Sequence, residues 1–419
     1  MRRLLGLIGL RATRALGPAY ERLLAASAVS TIGDGIRFAA LPLLAATTLG
    51  TPFQIAAVAA VGTLPWLVAG LPAGAFVDRR DRVRVMVAAD ALRATLLVLL
   101  VVLVAADSVT LWPLLALSFG LGVGEVLFDL AAFAVVPSIV APADLETANG
   151  RLYSTQTLGR DLAGQLVGAA LFGLLRLLPF ALDAFSFVAS ALLLRRIPGR
   201  RSERETPAET EGSLFAGIGE GCAFLFRNPT LRTLAFAAGA VNAVFLGEIA
   251  IVVLFVLHVL GLPQAVYGVV LAAIALGSVA GGLAASRVRN ALGREATILA
   301  SLLTMALASA LVAATTSPVV ALGAFALMGF GMMVWNVIAV SLRQTLVPDR
   351  LLGRTTSVYR LVSWGTMPLG GFAFGLVADR FGLRVPFAVG GALIAAVAVA
   401  AAPVLLGPAR RERVASTNV

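Results

Sequence analysis

Gly74-Ala75-Phe76-Val77-Asp78-Arg79-Arg80-Asp81-Arg82-Val83-Arg84 is a short, heavily charged segment wedged between two apolar runs. Each run is long enough to cross a bilayer, for which ~20 residues suffice at ~30 Å of hydrocarbon. A charged turn this tight fixes two helix ends at one membrane face. Outward from it the composition agrees. Of 419 residues, 59% are hydrophobic and only 13% charged, against roughly 25% charged in a soluble domain. Mean hydropathy is +0.94. Backbone in hydrocarbon must satisfy its own hydrogen bonds, so the spans are helices or a closed barrel. The runs lack the period-two alternation of barrel strands, and an all-α membrane protein follows.

The net charge is +11 and every basic residue is Arg. Nucleic-acid binding is the first reading of a basic chain, but these arginines sit in short loops between spans, where the positive-inside rule accounts for them. No nucleic-acid partner is expected. Cys222 is the sole cysteine and His258 the sole histidine, which leaves no disulfide, cysteine cluster or His-pair metal site. His258, before Gly261 and Pro263, reads as a loop histidine. Without lysine no Walker loop exists, and no nucleophile–base constellation appears. Neither an enzyme nor a cofactor-binding protein is expected.

The spans read as 23–46, 54–77, 84–105, 111–135, 149–175 and 179–195, then 231–258, 264–286, 295–315, 318–341, 355–378 and 385–406. This divides the chain into an N-terminal tail (1–22), a six-helix bundle (23–195), a linker (196–230), a second six-helix bundle (231–406) and a C-terminal tail (407–419). The linker is polar and Pro-containing through Arg200–Gly212. Leu214, Ile218, Cys222 and Leu225 then recur at helical spacing, which predicts an amphipathic helix on the inner surface. Arginines of both tails, the 79–84 loop, the linker and the segments 287–294 and 343–354 share one face; Arg176, Arg380 and Arg384 occupy the other. Both termini are therefore expected in the cytoplasm, with the chain in the inner membrane. The start of the chain has no small-residue cleavage site and reads as a tail, not a signal peptide. The halves echo one another: Gly74-x-x-x-Asp78-Arg79 against Gly282-x-x-x-Ser286-Arg287 (282 − 74 = 208) and Pro142 against Pro348 (348 − 142 = 206). A repeat of this kind places a binding site between the halves.

On the 74–84 segment, the repeat and the twelve spans, the chain resembles the major facilitator superfamily over essentially its full length. The segment departs from the usual loop motif at Arg80-Asp81, where the family has Gly after a bulky residue. Glu146-Thr147-Ala148-Asn149-Gly150, Asp183-Ala184-Phe185-Ser186-Phe187, Glu220-Gly221 and Arg227-Asn228-Pro229 resemble the efflux branch that contains the enterobactin exporter and macrolide efflux pumps. The resemblance implies two pseudo-symmetric six-helix halves and export of an amphipathic compound by proton antiport. Span 5 lacks the Gly-Pro pair common in antiporters; Pro368-Leu369-Gly370-Gly371 stands in span 11.

An ionisable side chain at mid-membrane costs on the order of 3 kcal/mol or more, which makes each one a candidate for function. Asp34 lies eleven residues into span 1 (34 − 23), about 16 Å deep at ~1.5 Å per residue, with Arg37 at i+3. Glu125 and Asp129 share one face of span 4. Arg160 and Asp161 point about 100° apart, so each needs a partner on another helix: Glu125 for Arg160, Arg37 for Asp161. Glu248 in span 7 has no arginine near it in sequence and reads as a proton carrier. Asp90 and Arg93 read as structural, and Asp183 and Arg360 stay open between structure and function. By family analogy Gly74, Asp78, Arg79, Arg82 and Asp129 form a conformational latch, with Arg82 on Asp129 and Asp78 capping span 11. Phe38, Trp66, Phe128, Phe245, Trp335 and Trp364 are candidates to line a cavity.

The function expected is secondary active export of a hydrophobic or amphipathic small molecule (a drug, siderophore or secondary metabolite) by a monomer in the bilayer, with the proton as coupling ion. An importer or lipid-moving permease, and a non-transporting receptor on the same fold, remain open alternatives.

Overall fold

The computed structural model describes residues 16–68, 70–78, 80–197 and 211–417. The helices are α1 Pro18–Thr48, α2 Pro52–Val68, α3 Gly70–Asp78, α4 Arg82–Ala105, α5 Leu111–Ile139, α6 Leu145–Thr157, α7 Gln165–Leu174 and α8 Leu178–Leu194. The second set is α9 Glu211–Arg227, α10 Pro229–Leu254, α11 Gln264–Leu292, α12 Arg294–Ala314, α13 Pro318–Leu346, α14 Asp349–Trp364, α15 Met367–Phe381 and α16 Val385–Thr417. Among the described residues nine helical segments are long and apolar enough to cross a membrane, and Pro52–Val68 and Leu178–Leu194 are shorter apolar helices. With the interrupted segment from α6 to α7 they are consistent with twelve crossings.

The helix ends follow from chain chemistry. Asp81 accepts a hydrogen bond from the Arg84 amide and caps α4, as Asn228 does for α10 through Leu231. Pro18, Pro52, Pro229 and Pro318 open their helices, where a missing N–H costs nothing. α1 starts five residues before the expected span, and α16 runs past 406 to Thr417. The segment read as one span from 149 to 175 is α6, a π-helical stretch Leu158–Gly164, and α7. Gly159 and Gly164 weaken the α-helix there. The helix expected after the linker is present as α9 and packs on α14.

Packing repeats between the halves. In the first, α1 lies against α7 and α8, α4 against α5 and α8, and α2 against α5. In the second, α10 lies against α15 and α16, α12 against α13 and α16, and α11 against α13. Across the halves α2 meets α15 and α7 meets α11, a reciprocal pair of contacts. Small residues let the backbones approach. A Cβ on Gly371 would press on Ala60, one on Gly375 on Ala56, and one on Gly268 on Ala169.

The apolar cores reveal an asymmetry along the membrane normal. One core combines both halves, from Ala39–Val58 and Ala169–Phe187 to Leu246–Ile274 and Phe387. The others are confined to one half each, around Tyr20, Met86 and Leu152 and around Leu234, Ile298 and Trp335. The bundle is thus sealed at the end that carries the turns after α1, α10 and α15. At the opposite end the halves keep separate cores.

Candidate functional site

The sealed end roofs a cavity of about 180 Å³ between the halves. Asp34, Arg37, Glu125 and Arg160 form its polar wall, all from the first half, while Leu246, Ile249, Ala250 and Tyr267 come from the second. Phe38 and Trp66, two of the expected aromatics, also line it. Trp364 meets Trp66 edge-on, with ring centroids 5.4 Å apart. Phe128 and Trp335 are buried elsewhere.

Span 1 builds the centre. Gly33-Asp34-Gly35 presents a carboxylate between two glycines that allow close neighbours. A side chain on Gly33 would strike Ser186 and Asp183, and one on Gly35 would strike the Arg160 carbonyl. Gly164 and Gly168 face the Ile32 and Ile36 carbonyls in the same way, so span 5 lies directly on span 1. The π-helical stretch falls at this contact and carries Arg160. Such stretches occur mostly as local insertions within α-helices, frequently at functional sites.

Asp34 touches three guanidiniums. Arg37 Nη2 donates to Oδ1 at 2.8 Å, Arg93 Nη1 donates to Oδ2 at 3.2 Å, and Arg160 Nη2 lies 3.8 Å from Oδ2. Arg37 also stands 3.3 Å from Asp183 and 3.6 Å from Glu125. Arg160 pairs with Glu125 at 3.0 Å and Asp129 at 3.8 Å. Arg93 closes the network on Asp90, with its guanidinium between the Phe128 and Phe187 rings at 4.7 and 4.1 Å. Gly124 makes the room for it, since a Cβ there would strike the Arg93 side chain.

Arg93 and Asp183 therefore belong to the network, a role that reading them residue by residue did not reveal. Arg93 is 1% exposed and Asp183 is fully buried. The available signal was Asp90 and Arg93 at i, i+3 within an apolar span, the same spacing as Asp34 and Arg37. An Arg93→Met exchange leaves two buried carboxylates short of a cation. Breaking a buried pair in this way costs about 3–5 kcal/mol. Thermal unfolding in detergent, followed by tryptophan fluorescence, is expected to shift down by several degrees or the protein to be lost from the membrane. An unchanged midpoint would show that the pair contributes nothing.

Two expectations come out differently. Arg160 meets Glu125 as expected, but Asp161 is exposed, and Arg37 is held by Asp34, Asp183 and Glu125 instead. Asp129 sits beside Arg160, whereas Arg82 donates to the Ala134 carbonyl at 2.8 Å. Ala134 is more than one helical turn beyond Asp129, which puts the carboxylate too deep for the loop arginine. Of the remaining latch residues, Gly74 has nothing within 4 Å of its Cβ position. Arg79 and the Asp78 side chain lie outside the described residues.

Glu248 is 2% exposed and does not border the cavity. Oε2 accepts from Ser309 at 3.1 Å, and Oε1 has no hydrogen-bond partner. It faces Gly390 of α16 and lies about 61 residues before its partner Ser309 on α12. No arginine is paired with it among the described residues.

Residues 16–418 match the family described as transmembrane secretion effector. The multidrug efflux pump Tap of Mycolicibacterium fortuitum is 30% identical over 390 residues, 87% of this chain and 90% of that protein. Macrolide efflux protein A of Streptococcus pyogenes is 24% identical over 392 residues, 91% and 94% of the respective chains. Among solved structures, a nucleoside transporter NupG variant superposes with TM-score 0.77 at 13% identity, covering 91% of this chain and 98% of that one. A bacterial homologue of the human lysosomal transporter Spinster, inward-facing and occupied, superposes with TM-score 0.72 at 17% identity, covering 94% and 96%.

Proposed function

We propose that this chain, which belongs to the transmembrane secretion effector family of the major facilitator superfamily, exports amphipathic small molecules in exchange for protons. The observation that carries this reading is the ion network on the cavity wall. It holds Asp34, Asp90, Glu125, Asp129 and Asp183 against Arg37, Arg93 and Arg160. With every group ionised its charge is 3 − 5 = −2.

A surplus of negative charge in a low-dielectric interior is costly. Protons or a cationic cargo relieve it, and both reach it at the cavity, through Asp34 and Glu125. Competition between them for one site is the basis of exchange. The protons belong to the network, not to any one carboxylate, because groups this close titrate together. Efflux by the Tap and macrolide relatives supports the export direction and a drug-like cargo.

The positive-inside rule puts the sealed end at the outer face and both termini in the cytoplasm. The cavity then belongs to an inward-facing state ready to load from the cytoplasm or inner leaflet. Rocking of the halves about the α2–α15 and α7–α11 contacts turns it outward. Glu248, away from the cavity and unpaired with any cation among the described residues, is assigned to tying α10 to Ser309 of α12 and to packing against α16. The protein acts as a monomer in the inner membrane.

Inside-out vesicles energised by respiration, with a pH-sensitive dye and ethidium as cargo, test the exchange. Ethidium-dependent proton release is expected. Glu125→Gln is expected to lower it by roughly tenfold, the loss of one charge-assisted hydrogen bond. Glu248→Gln is expected to keep most of it. Equal loss in both variants would remove the cavity network from its assigned role.

A further inference from the structure

Two hydroxyls at the cavity have no hydrogen-bond partner: Tyr267 Oη and Ser118 Oγ. Tyr267 is fully buried and Ser118 is 3% exposed. A buried hydroxyl left unpaired costs about 1–3 kcal/mol, and most such groups in folded proteins find a partner. The hydroxyls of Ser27, Ser30, Ser190 and Thr355 are also buried and unpaired, but of the hydroxyls that line the cavity Thr63 is satisfied by the Ala60 carbonyl, and Ser118 and Tyr267 are not.

Their placement is specific. Ser118 lies on α5 of the first half, beside the backbone of Gly62 on α2. Tyr267 lies on α11 of the second half, next to Gly268, whose contact with Ala169 joins α11 to α7. The ion network occupies the first-half wall, so Tyr267 is the polar group that the second half contributes to the lining. Between them run Ile55, Val58, Leu246 and Ile249, which offer only apolar surface.

We infer that Ser118 and Tyr267 form a neutral hydrogen-bonding subsite that selects cargo carrying amine, hydroxyl or carbonyl groups on its apolar body, over lipophilic cations that have none. This rests on the export reading above and deepens it. Cargo entering the cavity gives each hydroxyl the partner it lacks in the empty state, so the discrimination arises from relieving an existing cost. A site built around unpaired polar groups rejects ligands that leave them unpaired. Because the two hydroxyls belong to different halves, bound cargo also links the halves by hydrogen bonds.

The test uses the full-length protein in detergent and two probes, ethidium and the same phenanthridinium without its ring amines. Binding is read by quenching of tryptophan fluorescence, since Trp66 borders the cavity. The wild type is expected to bind ethidium the more tightly. Tyr267→Phe and Ser118→Ala are each expected to weaken ethidium about fivefold, which is ~1 kcal/mol. Both should leave the amine-free probe within twofold. Equal weakening of both probes would mean a packing role and overturn the inference, as would no change with either. If the wild type binds neither probe, the export reading falls, and the subsite with it. Tyr267→Phe keeps the ring and removes an unpaired group, so a folded protein is expected.

Discussion

Asp34→Asn is expected to lower ethidium-driven proton exchange by at least about 100-fold, equivalent to ~2.7 kcal/mol. The carboxylate accepts from Arg37 and Arg93 and lies within 3.8 Å of Arg160. No other acid in the network touches all three. The amide retains one acceptor oxygen and the side-chain volume, but loses its charge and offers an N–H to guanidiniums that cannot accept it. Hydrogen bonds to charged groups contribute about 1.5–3 kcal/mol each, so the loss of one or two accounts for the effect. Asp161→Asn is the internal control. It removes a carboxylate from the neighbouring span that makes none of these pairs, and exchange is expected to stay within about twofold. Comparable loss in both variants would mean that transport responds to any acid near the cavity and not to the Asp34 hub.

Gly375→Leu is expected to abolish transport by a different route. A Cβ at this position already crowds Ala56 and comes within 3.3 Å of the Phe53 Cα. A leucine therefore wedges α15 from α2 at the sealed end. Overpacking costs about 1–3 kcal/mol, and here the cost falls on one conformation only. Each 1.4 kcal/mol moves an equilibrium tenfold, so the population shifts by roughly five- to 150-fold toward the state in which these ends separate. Spin labels at Thr51 and Asp379, placed after Cys222→Ser, report it as a longer distance. The distribution staying where it is in the parent protein would disprove the wedge.

Much of the architecture is legible from the chain. Apolar runs bounded by Pro and Gly locate the helices, and the 74–84 segment orients two of them. The places where reading fails share a cause. At span 5 a single continuous helix is the natural expectation, because hydrophobic periodicity carries no mark of the π-helical stretch at Leu158–Gly164. What sets that stretch is contact with span 1, which no local window contains. The same applies to Arg93. Its spacing from Asp90 suggests a self-contained pair, and only the packing of α4 against α5 and α8 brings its side chain to Asp34 on α1. Asp34, Arg37, Glu125 and Arg160 were identifiable because charge in an apolar span is conspicuous by itself. Of their pairings, Arg37 with Asp34 at i+3 and Arg160 with Glu125 were legible; those with Arg93, Asp129 and Asp183 were not, since they depend on helix packing.

In the proton exchange proposed above, the charge of the network also sets which energy source the transporter can draw upon. Transport of one charge through the membrane is worth about 2.3 kcal/mol per 100 mV. A monovalent cation leaving as one proton enters moves no net charge, and the voltage then contributes nothing to accumulation. The network's formal deficit of two permits a second proton. With two protons per cation, one positive charge enters in each cycle, and the voltage adds its full increment to the pH gradient. A neutral cargo draws on voltage with the first proton. Under the proposed exchange, the same five carboxylates and three arginines make the electrical behaviour of transport a function of the cargo.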